Sequence, residues 1–563
     1  MTFIPFYGII FNAKNFSKGI KKMSRKYSSH IKQTIIPCVA LSALTGVFTG
    51  VLIFIFRFCA EHVISFSDKI YSGVRAYPAF LPLLILGAAA LGGLSYLLFK
   101  LFPSARGGDS QTTITILRGF IPIKWIQNVV VIFISSMLTY FSGVTLGEEG
   151  TSLQMGAAVG KGTVNIFAKK KDRKAWDRYI MTGGACGGFA AATSSPLTAI
   201  LFAFDEAHRR FSPIIFLTAI TATLSSWSTA RILCELTNRD LRLFPFADSF
   251  AFEIMPLEYY WTVVLVGALC GILAIAYAKL YRLTERILNR TLKKVPLIVK
   301  FIAVFVIIAV FGFISAEYIG SGHNIIHHFM EGHAPAWYML LLYLVVRSVM
   351  LLISSALEIV GGLSVPAMAI GAMVGSLVSK PLISLGLMDA KYAPVLVIVG
   401  VAAFLAATNR APLNAMTFAC EALFGFTNLL PIAIGVAVSF IVIEPIGVTA
   451  FSDLVIEEKA HDFAHGKEIH TVDAHFTVKS YAFIAGKEVR DILWPVNCAV
   501  LSVDKIKPGS PIVQAGDILH MRYQTHDPEE SYAILESIIG SQNVDTGIHD
   551  VHEGDDKYTI PEQ

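Results

Sequence analysis

The sequence predicts an all-α polytopic membrane protein that carries a small C-terminal α+β domain. Three observations lead there. The 563-residue chain is 54% hydrophobic and only 15% charged, with mean hydropathy +0.60, which excludes an ordinary soluble globule. Apolar runs long enough to approach a bilayer span recur between residues 34 and 448. After about residue 460 the period becomes strand-like and polar residues return.

Residues 1–32 contain Lys14, Lys18, Lys21, Lys22, Arg25, Lys26 and Lys32 and no acid. The positive-inside tendency places this end in the cytoplasm. Residues 14–32 read either as a basic amphipathic helix on the inner membrane surface or as a disordered tail. The run 34–60 is too long for a signal-peptide core and lacks a clear cleavage site. Further apolar runs fall at 80–102, 124–140, 213–234, 258–278, 298–316, 337–355, 391–407 and 429–448. Between them lie shorter, glycine-interrupted pieces at 147–165, 180–205, 361–380 and 411–424. Broken helices at bilayer depth persist only where protein buries them or where they line a cavity. The net charge of +5, concentrated at the N-terminal end, makes no case for nucleic acid. The 7 cysteines are scattered without a Cys-x-x-Cys pair, so neither disulfides nor zinc are expected.

The broken pieces repeat. Gly147, Gly156, Ala157, Val159 and Gly160 recur as Gly362, Gly371, Ala372, Val374 and Gly375, at a constant offset (362 − 147 = 215). Phe189, Ala191, Ala192 and Thr193 recur as Phe404, Ala406, Ala407 and Thr408. After a one-residue insertion, Pro196, Leu197, Ala199, Phe202 and Asp205 match Pro412, Leu413, Ala415, Phe418 and Glu421. Paired broken helices in two repeated halves point to a transporter with its site at the repeat interface.

Within the first repeat, Gly147-Glu148-Glu149-Gly150-Thr151 sets two carboxylates in apolar surroundings. A charge near mid-bilayer costs about 2.5–3.5 kcal/mol. The stretch after Gly150 reads as a helix, whose N-terminus favours an anion by about 0.3–1 kcal/mol, up to ~2 when partly buried. That is less than the burial cost, so several helix ends must converge or the carboxylate must protonate readily. Both readings describe an anion site coupled to protons; a helix cap at the membrane surface is the alternative.

Beyond residue 460, His461, His465, His470 and His475 punctuate a polar linker taken as 461–476, a solvated hinge rather than a metal site. A small α+β domain is expected over 477–542, with strands near Ala499–Val503 and Asp517–Tyr523 and a helix from Pro528 to Ile539. An acidic tail follows at 543–563.

Gly147-Glu148-Glu149-Gly150-Thr151 resembles the Gly-Lys/Arg-Glu-Gly-Pro signature of the CLC chloride channels and proton/chloride antiporters. Gly361-Gly362-Leu363-Ser364-Val365-Pro366 resembles their Gly-x-Phe-x-Pro signature. Gly187 to Glu206, and Arg410-Ala411-Pro412-Leu413 through Glu421, resemble the segments that close the two repeats. The resemblance covers about 33–460, with halves near 33–235 and 250–460. It implies a CLC-type inverted repeat of tilted and broken helices, and a homodimer with one pore per subunit. It also implies that Glu149 is the external gating and proton glutamate and Glu206 the internal proton glutamate. The alternative reading of Glu206 is a solvated helix end beside His208, Arg209 and Arg210. The resemblance gives anion-binding roles to the loop Gly108, Asp109 and Ser110, to Gly147, Gly150 and Thr151, and to the amides of Leu363, Ser364 and Val365. Phe451 stands where the family has a tyrosine.

Several residues depart from the family pattern. Gly108 replaces the loop serine, Asp109 adds a charge, and Phe451 has no hydroxyl. Glu148 replaces a basic residue and is expected to face the anion path as an unhelpful like charge. Thr151 replaces proline, as in the fluoride-exporting branch. Ala485-Gly486-Lys487-Glu488-Val489-Arg490, Leu493-Trp494-Pro495 and Ala515-Gly516-Asp517-Ile518-Leu519 resemble the C-terminal domain of RCK/Trk potassium regulators. That resemblance implies a small regulatory ligand.

The expected function is proton-coupled exchange of chloride or another small anion in the plasma membrane, with both termini cytoplasmic. A passive voltage- or ligand-gated channel, a fluoride/proton exporter and a membrane-anchored ligand sensor are the rivals. No nucleophile–base pair appears, so an enzyme is not expected, nor a cofactor.

Overall fold

The computed structural model describes residues 34–550, apart from 171, 241–243, 245–252, 465–469, 481, 506–509, 526 and 541. The basic segment 1–32, His465 and the end of the acidic tail therefore lie outside the described residues. Nine helices among the described residues are long and apolar enough to cross a membrane.

The first half contains α1 (Ile36–Ala76), α2 (Leu81–Leu101), α3 (Ser110–Arg118), α4 (Trp125–Phe141), α5 (Glu149–Phe167), α6 (Arg173–Thr193), α7 (Pro196–Leu201) and α8 (Pro213–Leu236). The second contains α9 (Tyr260–Arg286), α10 (Leu297–Ile314), α11 (His323–Met330), α12 (Trp337–Ala356), α13 (Ser364–Ser384), α14 (Ala393–Asn409), α15 (Pro412–Ala422), α16 (Leu429–Ile443) and α17 (Phe451–Ala464). Helix α1 runs well past the apolar stretch 34–60. Its extension is anchored by tertiary bonds: Ser67 Oγ donates to the Phe141 carbonyl at 2.7 Å and Tyr71 Oη to that of Ser142 at 2.8 Å. Close helix approach follows from small residues. A methyl group at Gly156 would strike the Gly184 carbonyl, and one at Gly371 the Gly400 carbonyl, the same device in each half.

The glycine-interrupted piece 180–205 breaks between Thr193 and Pro196. Ser194 adopts φ +57° and Pro196 opens α7. The second half breaks in the same way, with Arg410 at φ +50° and Pro412 opening α15. A left-handed residue ends one helix, and proline at the first position starts the next. After α7 the chain continues as a π turn, Phe202–Ala207.

The halves are related by inversion, and their contacts are reciprocal. Glu421 at the end of α15 accepts from the N–H groups of Leu197 and Thr198 at 2.9 and 2.7 Å, capping α7. Asp205, its counterpart in the repeat, accepts from the Asn414 N–H at 2.9 Å, capping α15. Gly147 and Gly362, also counterparts, exchange two backbone hydrogen bonds of 2.7 Å in an antiparallel bridge.

The C-terminal domain is a sheet of β1 (His470–Thr477), β2 (Cys498–Asp504), β3 (Ile518–Thr525) and β4 (Gln542–Asp550), order β2-β3-β1-β4 with antiparallel neighbours, plus α18 (Pro528–Ile539). The expected linker 461–476 and domain limits 477–542 are thus corrected. Helix α17 reaches Ala464, β1 starts at His470, and β4 reaches Asp550. In β1 the inward positions Val472, Ala474 and Phe476 are buried and alternate with less buried ones, so His475 stands on the strand's outer face, while His461 belongs to α17.

This domain docks on the end of α6. Arg178 donates to the carbonyls of Leu493 and Trp494, and Leu493 N–H donates to Tyr179 Oη at 2.8 Å. Arg210 donates to the Ile492 carbonyl at 2.9 Å.

Candidate functional site

Three glycine-bearing turns meet at the centre of the membrane domain. Gly361 N–H donates to the Gly107 carbonyl at 2.9 Å, while Gly147 and Gly362 form their bridge. A Cβ on Gly150 would lie 2.7 Å from Asp109 Cα and 2.9 Å from Gly362 Cα, so only glycine admits this approach. Gly147 and Gly150 therefore act through their lack of a side chain.

Beside this junction lies a cavity of about 10 Å³, lined among others by Gln111, Tyr277, Leu363, Ser364, Asn409 and Phe451. That is room for about one water-sized species. Ser364 and Phe451 are the first residues of α13 and α17, and Gln111 is the second of α3. Three helix N-termini thus converge on it, an arrangement that favours an anion. The structure brings Leu363, Ser364 and Phe451 to the cavity wall. Val365 is fully buried and its amide faces Glu149 instead.

Glu149 opens α5 with 0% exposure. Neither carboxylate oxygen makes a hydrogen bond of ordinary geometry among the described residues. The side chain lies over the glycine bridge: a Cβ built on Gly147 would be 2.5 Å from its Oε2, and one on Gly362 3.0 Å. Gly362 directly precedes the cavity residues Leu363 and Ser364.

Glu206 lies in the π turn after α7 and is 4% exposed. Asn409 Nδ2 donates to its Oε1 at 3.2 Å and Asn414 Nδ2 to its Oε2 at 3.0 Å. Asn409 also lines the cavity, so one amide separates this carboxylate from the site. Glu206 is not a solvated helix end. The expected neighbours turn away, because the helix ends and Arg209 takes φ +49°. Arg209 pairs with Asp453 at 2.8 Å and Arg210 reaches the C-terminal domain.

The loop residues take other roles. Gly108 has φ +69°, and a Cβ there would lie 2.8 Å from Val360 Cγ1, so this turn excludes serine. Asp109 caps α3 through the Thr112 N–H and pairs with Lys459 of α17 at 2.8 Å, so its added charge is neutralised. Ser110 Oγ donates to Gln111 Oε1 at 3.0 Å. Thr151 Oγ1 donates to the Glu148 carbonyl at 2.8 Å and meets Tyr140 Oη at 3.1 Å, so it is held inside the helix junction. Glu148 does not face the site as a bare charge: Arg57 of α1 stands 3.2 Å from its Oε2.

Sequence reasoning missed Gln111, Tyr277, Asn409, Asn414, Lys459 and Arg57. Asn409 and Asn414 flank the second-half break, directly around the Pro412 match, and that position was the available signal. Among the described residues no group of three His, Cys, Asp or Glu could hold a metal.

The fold has solved counterparts. The chain superposes on a slow cyanobacterial Cl⁻/H⁺ antiporter with TM-score 0.67 and 20% identity, covering 76% of this chain and 98% of the other. A CLC-type fluoride/proton antiporter gives 0.59 and 19%, covering 74% and 97%. A eukaryotic CLC transporter gives 0.62 and 18%, covering 76% and 74%. The sequence model described as voltage gated chloride channel matches residues 88–444, and the chain belongs to that family, CLC.

Proposed function

We propose that the protein exchanges a small anion, chloride in the first instance, for protons. The observation that carries this is the pair of buried carboxylates that flank, without lining, one cavity framed by helix N-termini. Glu149 lies over Gly362, next to Leu363 and Ser364; Glu206 reaches the cavity through Asn409. A passive pore has no need of a second buried carboxylate held by two amides. The descriptions of two similar structures as Cl⁻/H⁺ and fluoride/proton antiporters support the same reading. The small cavity keeps fluoride among the anions to be tried. In this reading the protein is a homodimer of the plasma membrane with cytoplasmic termini; the basic N-terminal segment supports the orientation. The C-terminal domain, which resembles RCK/Trk regulators, governs transport through its contacts with Arg178, Tyr179 and Arg210 beside the Glu206 turn.

The test is anion and proton flux in liposomes with chloride and fluoride. Wild type should move protons against an anion gradient. Glu149→Gln and Glu206→Gln should each stop proton movement while anion flux persists. Proton transport at the wild-type rate in both variants would overturn exchange through these residues.

A further inference from the structure

We propose that Tyr277 supplies the side-chain hydroxyl of the central anion cavity, in place of the residue at Phe451. The proposal deepens the exchange reading and rests on it; the ligand is a desolvated monatomic anion. Tyr277 belongs to α9, is 2% exposed and lines the cavity together with Phe451, Ser364 and Gln111. Its ring packs edge-on against Phe451 and Phe404, with centroids 5.1 and 5.8 Å away, which fixes its position. Its hydroxyl is buried and has no hydrogen-bond partner among the described residues. Buried tyrosine hydroxyls ordinarily find one. Tyr281, one turn further along α9, does so by donating to Glu458 at 2.7 Å. An anion held at the N-termini of α13 and α17 would accept from Tyr277 and satisfy the orphan donor. Gly108 cannot carry a hydroxyl, Ser110 is turned to Gln111 and Thr408 Oγ1 donates to the Phe404 carbonyl, whereas the Tyr277 hydroxyl is an unpartnered donor of the cavity wall among the described residues. A phenol donates without a fixed charge and therefore holds an anion without trapping it.

Tyr277→Phe removes one oxygen and keeps the ring. Titration calorimetry of the purified full-length protein with sodium fluoride, chloride and thiocyanate tests the assignment. A hydrogen bond to an anion predicts roughly tenfold weaker chloride binding, with fluoride losing more and thiocyanate less, at unchanged melting temperature. Adding Phe451→Tyr should return the chloride affinity. Unchanged chloride affinity, or an equal loss for all three anions, would overturn the donor role. If wild type transports anions while Tyr277→Phe binds them normally, only this assignment fails. If wild type itself moves no anion in liposomes, the exchange reading fails with it.

Discussion

Lys459 Nζ lies 2.8 Å from Asp109 Oδ2, and the two side chains are 5% and 4% exposed. This ion pair ties the α3 cap to α17, the helix that leads into the C-terminal domain. Breaking a buried pair leaves one charge uncompensated, at a cost of about 3–5 kcal/mol. Lys459→Met should therefore lower the melting temperature in detergent strongly. Lys459→Met with Asp109→Asn should recover most of that loss, because neither charge then remains.

Glu148 and Arg57 form a second pair, at 3.2 Å. The acid that departs from the family's basic residue is thus compensated from α1. Glu148→Lys should not be benign: it sets two cations together in a buried place and should reduce both stability and anion flux. Arg57→Glu combined with Glu148→Lys reverses the pair and should recover stability. Double-mutant-cycle unfolding measurements would show the coupling.

The Gly108 turn makes a further point against simple family analogy. Restoring the family's serine is the obvious way to strengthen chloride binding. Here φ is +69° and Val360 Cγ1 stands 2.8 Å from the new Cβ. Gly108→Ser should destabilise by about 1–3 kcal/mol and give no gain in chloride affinity by calorimetry.

Much of the membrane domain was legible because it repeats. The offset linking Gly147 to Gly362 found two residues that pair directly, and the match of Asp205 with Glu421 found two reciprocal caps. Glu149 was legible as an acid in apolar surroundings, and Glu206 through the family resemblance alone. Their partners were not. Arg57 and Lys459 are far from the motifs in sequence, and only tertiary packing brings them to the site; Asn409 adjoins the Pro412 match, but its bond to Glu206 crosses between the repeats. Tyr277 reads in sequence as one more aromatic on an apolar helix, and its function rests on an orphan hydroxyl that no pattern reports.

Lys487 of the C-terminal domain predicts a pH effect. It is 7% exposed, with its ammonium 3.7 Å from the Phe483 ring centroid. Burial pushes its amine down from 10.5 to about 7, opposed by nearby Cys38. Between those values the folded state binds fewer protons than the unfolded chain. Stability therefore rises with pH across that window and is lost as pH falls from about 10.5 to about 7, by about 1.4 kcal/mol per unit. Hydrogen exchange of amides 491–494 should slow as pH is raised, after correction for intrinsic rates. Lys487→Met should abolish that dependence.

Gly147→Ala offers a way to displace the gating carboxylate without altering its charge. The Cβ at position 147 would meet only Glu149 within close range: Oε2 at 2.5 Å, Oε1 at 3.2 Å and Cδ at 3.3 Å. These atoms end a flexible side chain, so the carboxylate moves and the glycine bridge stays. Gly362→Ala is the contrasting variant, since its Cβ would lie 2.8 Å from the Gly150 backbone nitrogen and 3.1 Å from the Gly147 carbonyl oxygen. There the backbone itself must shift, and the junction of the two repeats should open. Gly147→Ala should melt near wild type and keep anion flux, with fewer protons moved per anion. Gly362→Ala should lose stability and transport together. The comparison separates position from charge: if Gly147→Ala keeps the wild-type proton-to-anion ratio, the carboxylate's place over the glycine bridge does not matter to coupling, and Glu149 must act from another conformation.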